Sequence, residues 1–425
     1  MSNSSSTAPA AADPGVLTEE ATAAAEAALL DLITPEGKEN PFPAYARLRQ
    51  AAPVFPSVLG ACFVSGYEAC KEVVFSDRFG VADADWFDTN EPDWRSHPLM
   101  FHVYSTMIGN NPPDHTRLRR LVSHAFNARR IEELRPFVAD LTDRLLDAMA
   151  ERADDGVIDL QEAIGLPVPI RVMAKLLGVP DEDLPPFQSW VRKCGVMFEI
   201  AVTPEELAAG DAAYTSIRQY FKRLVAERRS APRDDLTSAL IAVVDSDGDR
   251  LTEEELLDTL GFLFAAGFET TAGMVGNSVV ALGDAPDQLA PFRESSSGLA
   301  AATEELARFD GSIQMTRRIA LTDVVLGGVP IPAGTSVVAL IGAANRDPQH
   351  FPDPDRLDVT RSGTRPLSFG LGAHYCLGAA LARMELEEIL GRLYQRFPGL
   401  RLAAAPVREP GLALRRFASV PVKLF

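Results

Sequence analysis

The sequence predicts a mainly α-helical protein with small β-sheets, and three observations support this fold class. Apolar residues recur at helical spacing through residues 129–242, and again from about residue 253 to residue 281. A β-branched and aromatic stretch at residues 54–63 is typical of short strands. No internal repeat or central linker divides the 425 residues, of which 46% are hydrophobic. We therefore expect one large domain over residues 16–425.

The composition limits the classes of function. The net charge of -18, from 41 basic and 59 acidic residues, argues against nucleic acid or an anionic membrane as the main partner. The four cysteines are scattered without a C-x-x-C pair, which favours free thiols in a reducing compartment. Residues 1–15 are rich in Ser and Ala and contain neither a signal peptide nor a membrane anchor. We expect a disordered N-terminal tail and a cytoplasmic protein.

The stretch from Phe369 to Gly378 places Cys376 between a glycine-rich loop and a helix. A sulfur at a helix N-terminus lies near free N–H groups and the positive end of the helix dipole, so we expect a lowered thiol pKa. Glycines such as Gly370 would let a broad flat group approach the backbone. The spacing excludes a dinucleotide fingerprint, a zinc or iron–sulfur cluster and a covalent c-type haem. A buried structural cysteine and single-thiolate ligation of haem remain.

The helix predicted for residues 253–281 has an unusual centre. It is almost wholly apolar until Glu269 and Thr270, and Gly267 costs about 1 kcal/mol relative to Ala in a helix interior. In one interpretation, Thr270 hydrogen-bonds back to the carbonyl of Ala266 while Glu269 points at water. In the other, Gly267 lets a small ligand approach the helix, and Glu269 and Thr270 supply an acid and a hydroxyl for proton delivery.

Two further patterns each allow two interpretations, and a third has one usual interpretation. His115 and Arg119 share one face of a predicted helix, which suits either a bound carboxylate pair or a solvated basic surface. Residues 81–110 contain several aromatic residues without a clean period, which indicates either a binding loop or a helix packed into the core. Glu305 and Arg308 are three residues apart, a spacing that most often gives a surface ion pair.

The decapeptide F-G-L-G-A-H-Y-C-L-G at residues 369–378 resembles the haem-binding signature of the cytochrome P450 family. About a hundred residues earlier, A-G-F-E-T at residues 266–270 is similar to that family's oxygen-activation motif. The resemblance extends over residues 40–425 and is to the bacterial soluble type. It implies the cytochrome P450 fold, mainly α with small β-sheets, in a single haem domain.

The resemblance also implies roles for individual residues. Cys376 would be the axial metal ligand of haem b (iron protoporphyrin IX), because thiolate donation favours O–O cleavage. Ala266 and Gly267 would lie over the haem, and Glu269 with Thr270 would deliver protons. Further implied residues contact the cofactor, stabilise the fold or line the substrate pocket. The cofactor contacts are His115, Arg119, Arg318, Phe369, Gly370, His374 and Gly378; the structural residues are Glu305, Arg308 and Arg356; the pocket candidates are Trp86, Trp94, Met197, Phe198, Ile313, Gln314 and Leu412.

The activity implied by the family is that of a haem-thiolate monooxygenase. It would use O2 and electrons from a separate redox partner to hydroxylate or epoxidise an apolar small molecule in secondary-metabolite biosynthesis. The partner would be a ferredoxin with its ferredoxin reductase, docked on a basic face that includes Arg119, Arg120 and Arg383. One alternative is an oxidative coupling or ring-forming enzyme on the same haem. The other is a non-catalytic haem sensor or carrier.

Overall fold

The computed structural model describes residues 17–152, 156–199, 202–244, 250–294, 298–363 and 365–425. Over these residues the protein is mainly helical with small sheets, so the predicted fold class is confirmed. The tail predicted for residues 1–15 lies outside the described residues. None of the described helices is both long enough and apolar enough to cross a membrane.

Most of the described chain lies in α-helices. In chain order these are α1 (Glu19–Leu32), α2 (Pro35–Glu39), α3 (Phe42–Ala51), α4 (Tyr67–Phe75), α5 (Ala84–Asn90), α6 (Pro98–Tyr104), α7 (Asp114–Ala125), α8 (Ala128–Arg152), α9 (Pro167–Leu177), α10 (Pro185–Cys194), α11 (Pro204–Ser230), α12 (Leu236–Val244), α13 (Glu253–Asp284), α14 (Leu289–Glu294), α15 (Gly298–Asp310), α16 (Ile341–Ala344) and α17 (Ala379–Arg396).

The strands are short and form small sheets. They are β1 (Val54–Pro56), β2 (Ala61–Val64), β3 (Phe79–Gly80), β4 (Ile158–Asp159), β5 (Thr316–Ala320), β6 (Val324–Leu326), β7 (Val329–Ile331), β8 (Ser336–Ala339), β9 (Arg401–Leu402), β10 (Val407–Arg408), β11 (Phe417–Ser419) and β12 (Pro421–Lys423). One sheet has the order β1-β2-β8-β5-β3, in which β2 and β8 are parallel and the other pairs are antiparallel. The smaller sheets are β4-β12-β9, β10-β11 and β6-β7.

Two sequence predictions about these elements can be compared with the structure. The strands expected at residues 54–63 are present as the antiparallel pair β1 and β2. The region expected to be helical at residues 129–242 contains α8 to α12, but β4 interrupts it and pairs with β12 near the C-terminus. A two-residue strand is too short to produce a recognisable alternation, so periodicity could not reveal it.

The central helix α13 organises the helical layer. It begins at a capping box, in which the Thr252 hydroxyl accepts a hydrogen bond from the N–H of Glu255 (3.2 Å) and the Glu255 carboxylate accepts one from the N–H of Thr252 (2.7 Å). Helices α9, α11, α15 and α17 all pack against it. Because these helices cover most of its surface, a sequence that is apolar around most of its circumference is stable there.

A buried ion-pair cluster joins α15 to the loop that precedes the cysteine. Arg308 donates two hydrogen bonds to Glu305, of 2.7 and 2.8 Å, and neither side chain is exposed. The third member is Arg361, whose Nε lies 3.1 Å from the Glu305 carboxylate. Arg356, which the sequence analysis assigned to this role, is exposed and gives its backbone carbonyl to Arg308. That assignment is wrong because the loop turns after Arg356, and Arg361 reaches back across it to the carbonyl of Pro352 (2.7 Å).

We expect Arg361→Ala to lower the free energy of unfolding by about 3 kcal/mol, because it removes one partner of a buried charged group. The matched variant Arg356→Ala should change it by less than about 0.5 kcal/mol, since that side chain is exposed. Urea unfolding followed by circular dichroism measures both. Equal losses in the two variants would contradict the assignment of Arg361.

Candidate functional site

A cavity of about 1180 Å³ lies between α13 and the loop that carries Cys376. Its lining is mainly apolar, and it also includes Ala266, Gly267 and Thr270 from the centre of α13. Two motifs that are about a hundred residues apart in sequence therefore face one space. A large apolar cavity with a few convergent polar groups is the usual form of a small-molecule site.

The loop presents the Cys376 thiol to this cavity. The backbone N–H of Cys376 donates to the carbonyl of Phe369 (2.9 Å), which closes the loop before α17 begins. Gly370 and Gly372 have φ values of +67° and +66°, which side chains rarely tolerate. A Cβ added to Gly378 would meet no described atom within 4 Å beyond its chain neighbours. The backbone is thus open to a broad group, and the interpretation of Cys376 as a buried structural cysteine is wrong, since its side chain is exposed.

The pKa of the Cys376 thiol is raised, which corrects the expectation of a lowered value. Desolvation by the surrounding loop is the largest cause, even though the sulfur can be reached from the cavity. A hydrogen bond from the Gly378 backbone and the charges of Arg119 and Arg383 oppose it only in part. A coordinated cation would shift the equilibrium towards the thiolate, because a metal-bound thiol loses its proton.

Four cationic or imidazole side chains expected from separate stretches meet at the cavity. The rings of His115 and His374 have centroids 4.2 Å apart, and Arg119 and Arg318 line the same space. Nε2 of His115 is buried and has no hydrogen-bond partner among the described residues. Arg318 donates to the Thr316 hydroxyl and to the Arg317 carbonyl, both at 2.8 Å and both uncharged. This donor set suits an anionic group such as a carboxylate.

Desolvation dominates the titration of this polar group. It lowers the pKa of His374 to about 3 and that of Arg318 to about 10, and it also lowers the pKa of His115. The neighbouring cations Arg318 and Arg119 depress the pKa of both histidines further. Both imidazoles are therefore neutral at pH 7 in the protein alone. A negative charge bound here would reverse these shifts.

Two arginines connect the cysteine loop to its neighbours. Arg119 donates to the carbonyl of Tyr375 (2.7 Å), and Arg383 donates to the Tyr375 hydroxyl (3.0 Å). The guanidinium carbon of Arg383 also lies 4.3 Å from the ring centroid of Phe369 and pairs with Glu304. These contacts fix Phe369 and Tyr375, which both precede Cys376 in the loop.

On α13, features of both interpretations of the sequence are present. The Thr270 hydroxyl donates to the carbonyl of Ala266 (3.1 Å), as expected for a structural threonine, yet it also lines the cavity. Gly267 lines the cavity, and a Cβ there would press on the side chain of Met173. The close packing of α9 against α13 therefore also requires this glycine.

Glu269 does not point at water, as the structural interpretation expected, and it does not line the large cavity either. It is buried, and one carboxylate oxygen pairs with Arg416, while Oε1 has no hydrogen-bond partner among the described residues. Burial raises the pKa of Glu269, although Arg416 opposes this effect. Glu269 and Thr270 share the wall of a second cavity of about 10 Å³, which is room for about one water molecule.

Sequence analysis missed two charged residues of this region. Arg416, the partner of Glu269, gave no signal because it is distant in sequence. Glu385 on α17 lines the large cavity, and both of its carboxylate oxygens are buried without a hydrogen-bond partner among the described residues. Burial raises the pKa of Glu385 well above its usual range. Glu385 lies four residues after Leu381 and so falls on the apolar face of α17. A carboxylate at such a position in the sequence could have indicated a functional residue.

Most of the pocket candidates line the cavity. They are Trp86, Trp94, Met197, Phe198 and Ile313. Gln314 and Leu412 are buried behind the wall, and the Gln314 amide donates to the carbonyl of Gly311 (2.7 Å). Their assignment is wrong because Ile313 forms a β-bridge with Leu414, and successive side chains of an extended segment point to opposite faces.

The aromatic segment at residues 81–110 matches both of its interpretations. It folds into short helices that include α5 and α6, and the rings of Phe87 and Trp94 stack with centroids 5.2 Å apart. Both of these residues are buried, whereas Trp86 is partly exposed. The segment is thus a small aromatic core whose inner surface is part of the cavity wall.

Comparisons with known proteins agree with this geometry. The Cytochrome P450 family model matches residues 59–295 and 298–406. The chain is 37% identical to Cytochrome P450 monooxygenase PikC of Streptomyces venezuelae, over 90% of this chain and 91% of the relative. It is 39% identical to 6-deoxyerythronolide B hydroxylase of Saccharopolyspora erythraea, over 89% of this chain and 95% of the relative.

A solved structure shares the fold over almost its whole length. P450BioI, crystallised with an acyl carrier protein that bears hexadec-9Z-enoic acid, superposes with a TM-score of 0.84 at 34% identity. The match covers 92% of this chain and 99% of that one. The chain therefore belongs to the cytochrome P450 family and is a haem-dependent monooxygenase.

Proposed function

We propose that the enzyme binds haem b through Cys376 and inserts one oxygen atom from O2 into an apolar small molecule, by hydroxylation or epoxidation, in secondary-metabolite biosynthesis. The observation that carries the proposal is the exposed Cys376 thiol, which faces the same apolar cavity as Thr270. Named monooxygenases and hydroxylases among the relatives support it and argue against a haem sensor or carrier.

The residues of the cavity fit a haem. The glycine-rich loop leaves its backbone open to a flat group, and the thiol of Cys376 is placed to ligate a metal at its centre. Nε2 of His115, which has no hydrogen-bond partner among the described residues, would together with Arg119, Arg318 and His374 suit the two carboxylates of that group. When bound, a thiolate-ligated haem supplies the activation of O2.

The chain's own residues would control protons and water around that reaction. The Thr270 hydroxyl donates its hydrogen to the carbonyl of Ala266. The lone pairs of its oxygen therefore stay available to accept a hydrogen bond from a donor in the cavity. Glu269 holds a carboxyl group on the other side of Thr270, next to space for one water. The apolar lining excludes bulk water and suits a mainly apolar substrate.

The proposed electron donor is a ferredoxin, reduced by its reductase. Arg119 and Arg383 both contact Tyr375, which is next to Cys376, and Arg120 follows on α7 with an exposed side chain. This basic face would attract an acidic partner despite the net charge of -18. The free thiols at all four cysteines support a reducing location, and we place the enzyme in the cytoplasm.

The reduced protein with carbon monoxide should show the long-wavelength Soret band of thiolate-ligated haem, and Cys376→Ser should lose it. The cause is direct, because serine cannot provide a thiolate to the iron. Difference spectroscopy measures this, with Cys62→Ser, at a buried cysteine away from the cavity lining, as the control that keeps the band. A band of unchanged position in Cys376→Ser would overturn the proposed function.

Thr270→Ala should release at least about tenfold more hydrogen peroxide per electron consumed, because the hydroxyl that hands on protons is gone. Peroxide yield against nicotinamide consumption measures this without knowledge of the natural substrate. Thr303→Ala is the matched control, since Thr303 also hydrogen-bonds to the preceding helical turn (2.8 Å) but lies outside the cavity lining. Unchanged peroxide release in Thr270→Ala would contradict the assigned role.

Once a substrate is found, labelled O2 separates oxygen insertion from the alternative of oxidative coupling or ring formation. Insertion leaves one labelled atom in the product, whereas coupling leaves none. This decision is independent of the Thr270 result, because either reaction consumes O2 at the same haem.

Arg120→Glu should slow reduction by ferredoxin about tenfold at low salt, with a smaller effect at high salt, because it reverses a charge on the docking face. Stopped-flow absorbance of the haem measures the rate. Lys222→Glu on α11, which packs on α10 and α13, is the control with the same change in net charge. Equal rates in both variants would remove this face from consideration.

A further inference from the structure

The carboxylate of Glu199 holds three consecutive backbone amides from the other end of the chain. It accepts hydrogen bonds from the N–H groups of Leu412 (2.9 Å), Ala413 (3.2 Å) and Leu414 (3.2 Å). Glu199 directly follows the short helical turn Gly195–Phe198 at the end of α10. A single side chain thus joins the end of α10 to a segment more than two hundred residues later.

The backbone N–H groups of residues 412–414 need this acceptor. The segment is buried but belongs to neither β10 nor β11, so these strands do not satisfy its amides. Buried N–H groups require partners, and a carboxylate forms stronger hydrogen bonds with them than a neutral acceptor does. The turn and the carboxylate are closely packed, since a Cβ added to Gly411 would lie 2.5 Å from the carbonyl oxygen of Leu414 and 2.9 Å from Glu199 Oε1. The contact is therefore built into the local fold of both segments.

Both joined segments form the wall of the large cavity. Met197, Phe198 and Glu199 line it from the end of α10, and Ile313 and Ala413 line it from the neighbouring segment. The carbonyl of Ala413 also accepts a hydrogen bond from the N–H of Gln314 (2.9 Å), which fixes the second side to the strand region. The Glu199 carboxylate consequently bridges the line where the two sides of the wall meet.

We propose that Glu199 is a positioning residue that keeps this wall closed and thereby limits the size of molecules that enter the cavity. The inference rests on the proposed function, since it concerns access to the same haem site. Glu199 itself takes no part in the chemistry. Loss of its side chain would let Phe198 move away from Ala413. The residues at the centre of α13 that line the cavity would stay in place.

The first test is hydrogen–deuterium exchange of the holoenzyme, which does not depend on turnover. Amides in the peptide covering residues 411–415 should exchange at least about tenfold faster in Glu199→Ala, and by an intermediate factor in Glu199→Gln, which keeps one acceptor oxygen. Glu205→Ala, at an exposed carboxylate in the first turn of α11, is the matched control and should leave this exchange unchanged. Unchanged exchange in Glu199→Ala would overturn the contact.

The second test measures access with two haem ligands of different size. Binding of 4-phenylimidazole should be about fivefold faster in Glu199→Ala than in the wild type, and faster by a smaller factor in Glu199→Gln, whereas binding of carbon monoxide should change little. Faster exchange with an unchanged 4-phenylimidazole rate would show that the contact only stabilises the loop, and would overturn the proposal. Failure of the wild type to bind haem would instead refute the proposed function, and the same exchange comparison on the purified protein without haem would still judge the contact.

Discussion

His115, His374 and Arg318 lie at the cavity with their charged forms desolvated, and burial lowers the pKa of each one. Near them the thiol of Cys376 is also desolvated, which raises its pKa. In the protein alone, Arg318 costs free energy because its charge is poorly solvated, and the buried Nε2 of His115 costs free energy because it lacks a hydrogen-bond partner among the described residues. A ligand that brings a cation to the sulfur and anions to the imidazole and guanidinium groups relieves both costs at once. Haem is such a ligand.

The buried ion-pair cluster away from this site follows the opposite rule. Glu305 has Arg308 and Arg361 as partners, so its buried carboxylate is compensated by the protein itself. Uncompensated charge inside a protein is strongly destabilising, and selection for stability therefore pairs it wherever no ligand will do so. The contrast between this paired cluster and the cavity groups, which have no oppositely charged partner among the described residues, supports the proposal that the cavity groups bind a ligand.

The sequence predicted the parts that depend on local pattern. The long apolar period of α13 and the glycine spacing around Cys376 required no knowledge of distant residues. The arginine that pairs with Glu305 is Arg361 and not the expected Arg356, because the path of the loop, rather than sequence spacing, decides which arginine reaches that carboxylate. Arg416 gave no signal, since only the folded chain brings it to α13, and Gln314 was misplaced because a single β-bridge fixes the direction of its side chain. Local patterns could be recognised in the sequence, whereas contacts between residues that are distant in sequence could not.

The position of Thr270 between two cavities constrains how a proton could reach the haem side. Its hydroxyl hydrogen is engaged by Ala266, so it can accept a proton from one side only as that hydrogen is released to the other. Glu269 supplies the nearest carboxyl group across the small cavity, but its ion pair with Arg416 favours the deprotonated form. Burial acts against that pair and raises the pKa of Glu269 overall. A loosened contact with Arg416 would therefore let Glu269 take up a proton more readily. Under the proposed function, the arginine, as much as the acid, would then control the supply of protons.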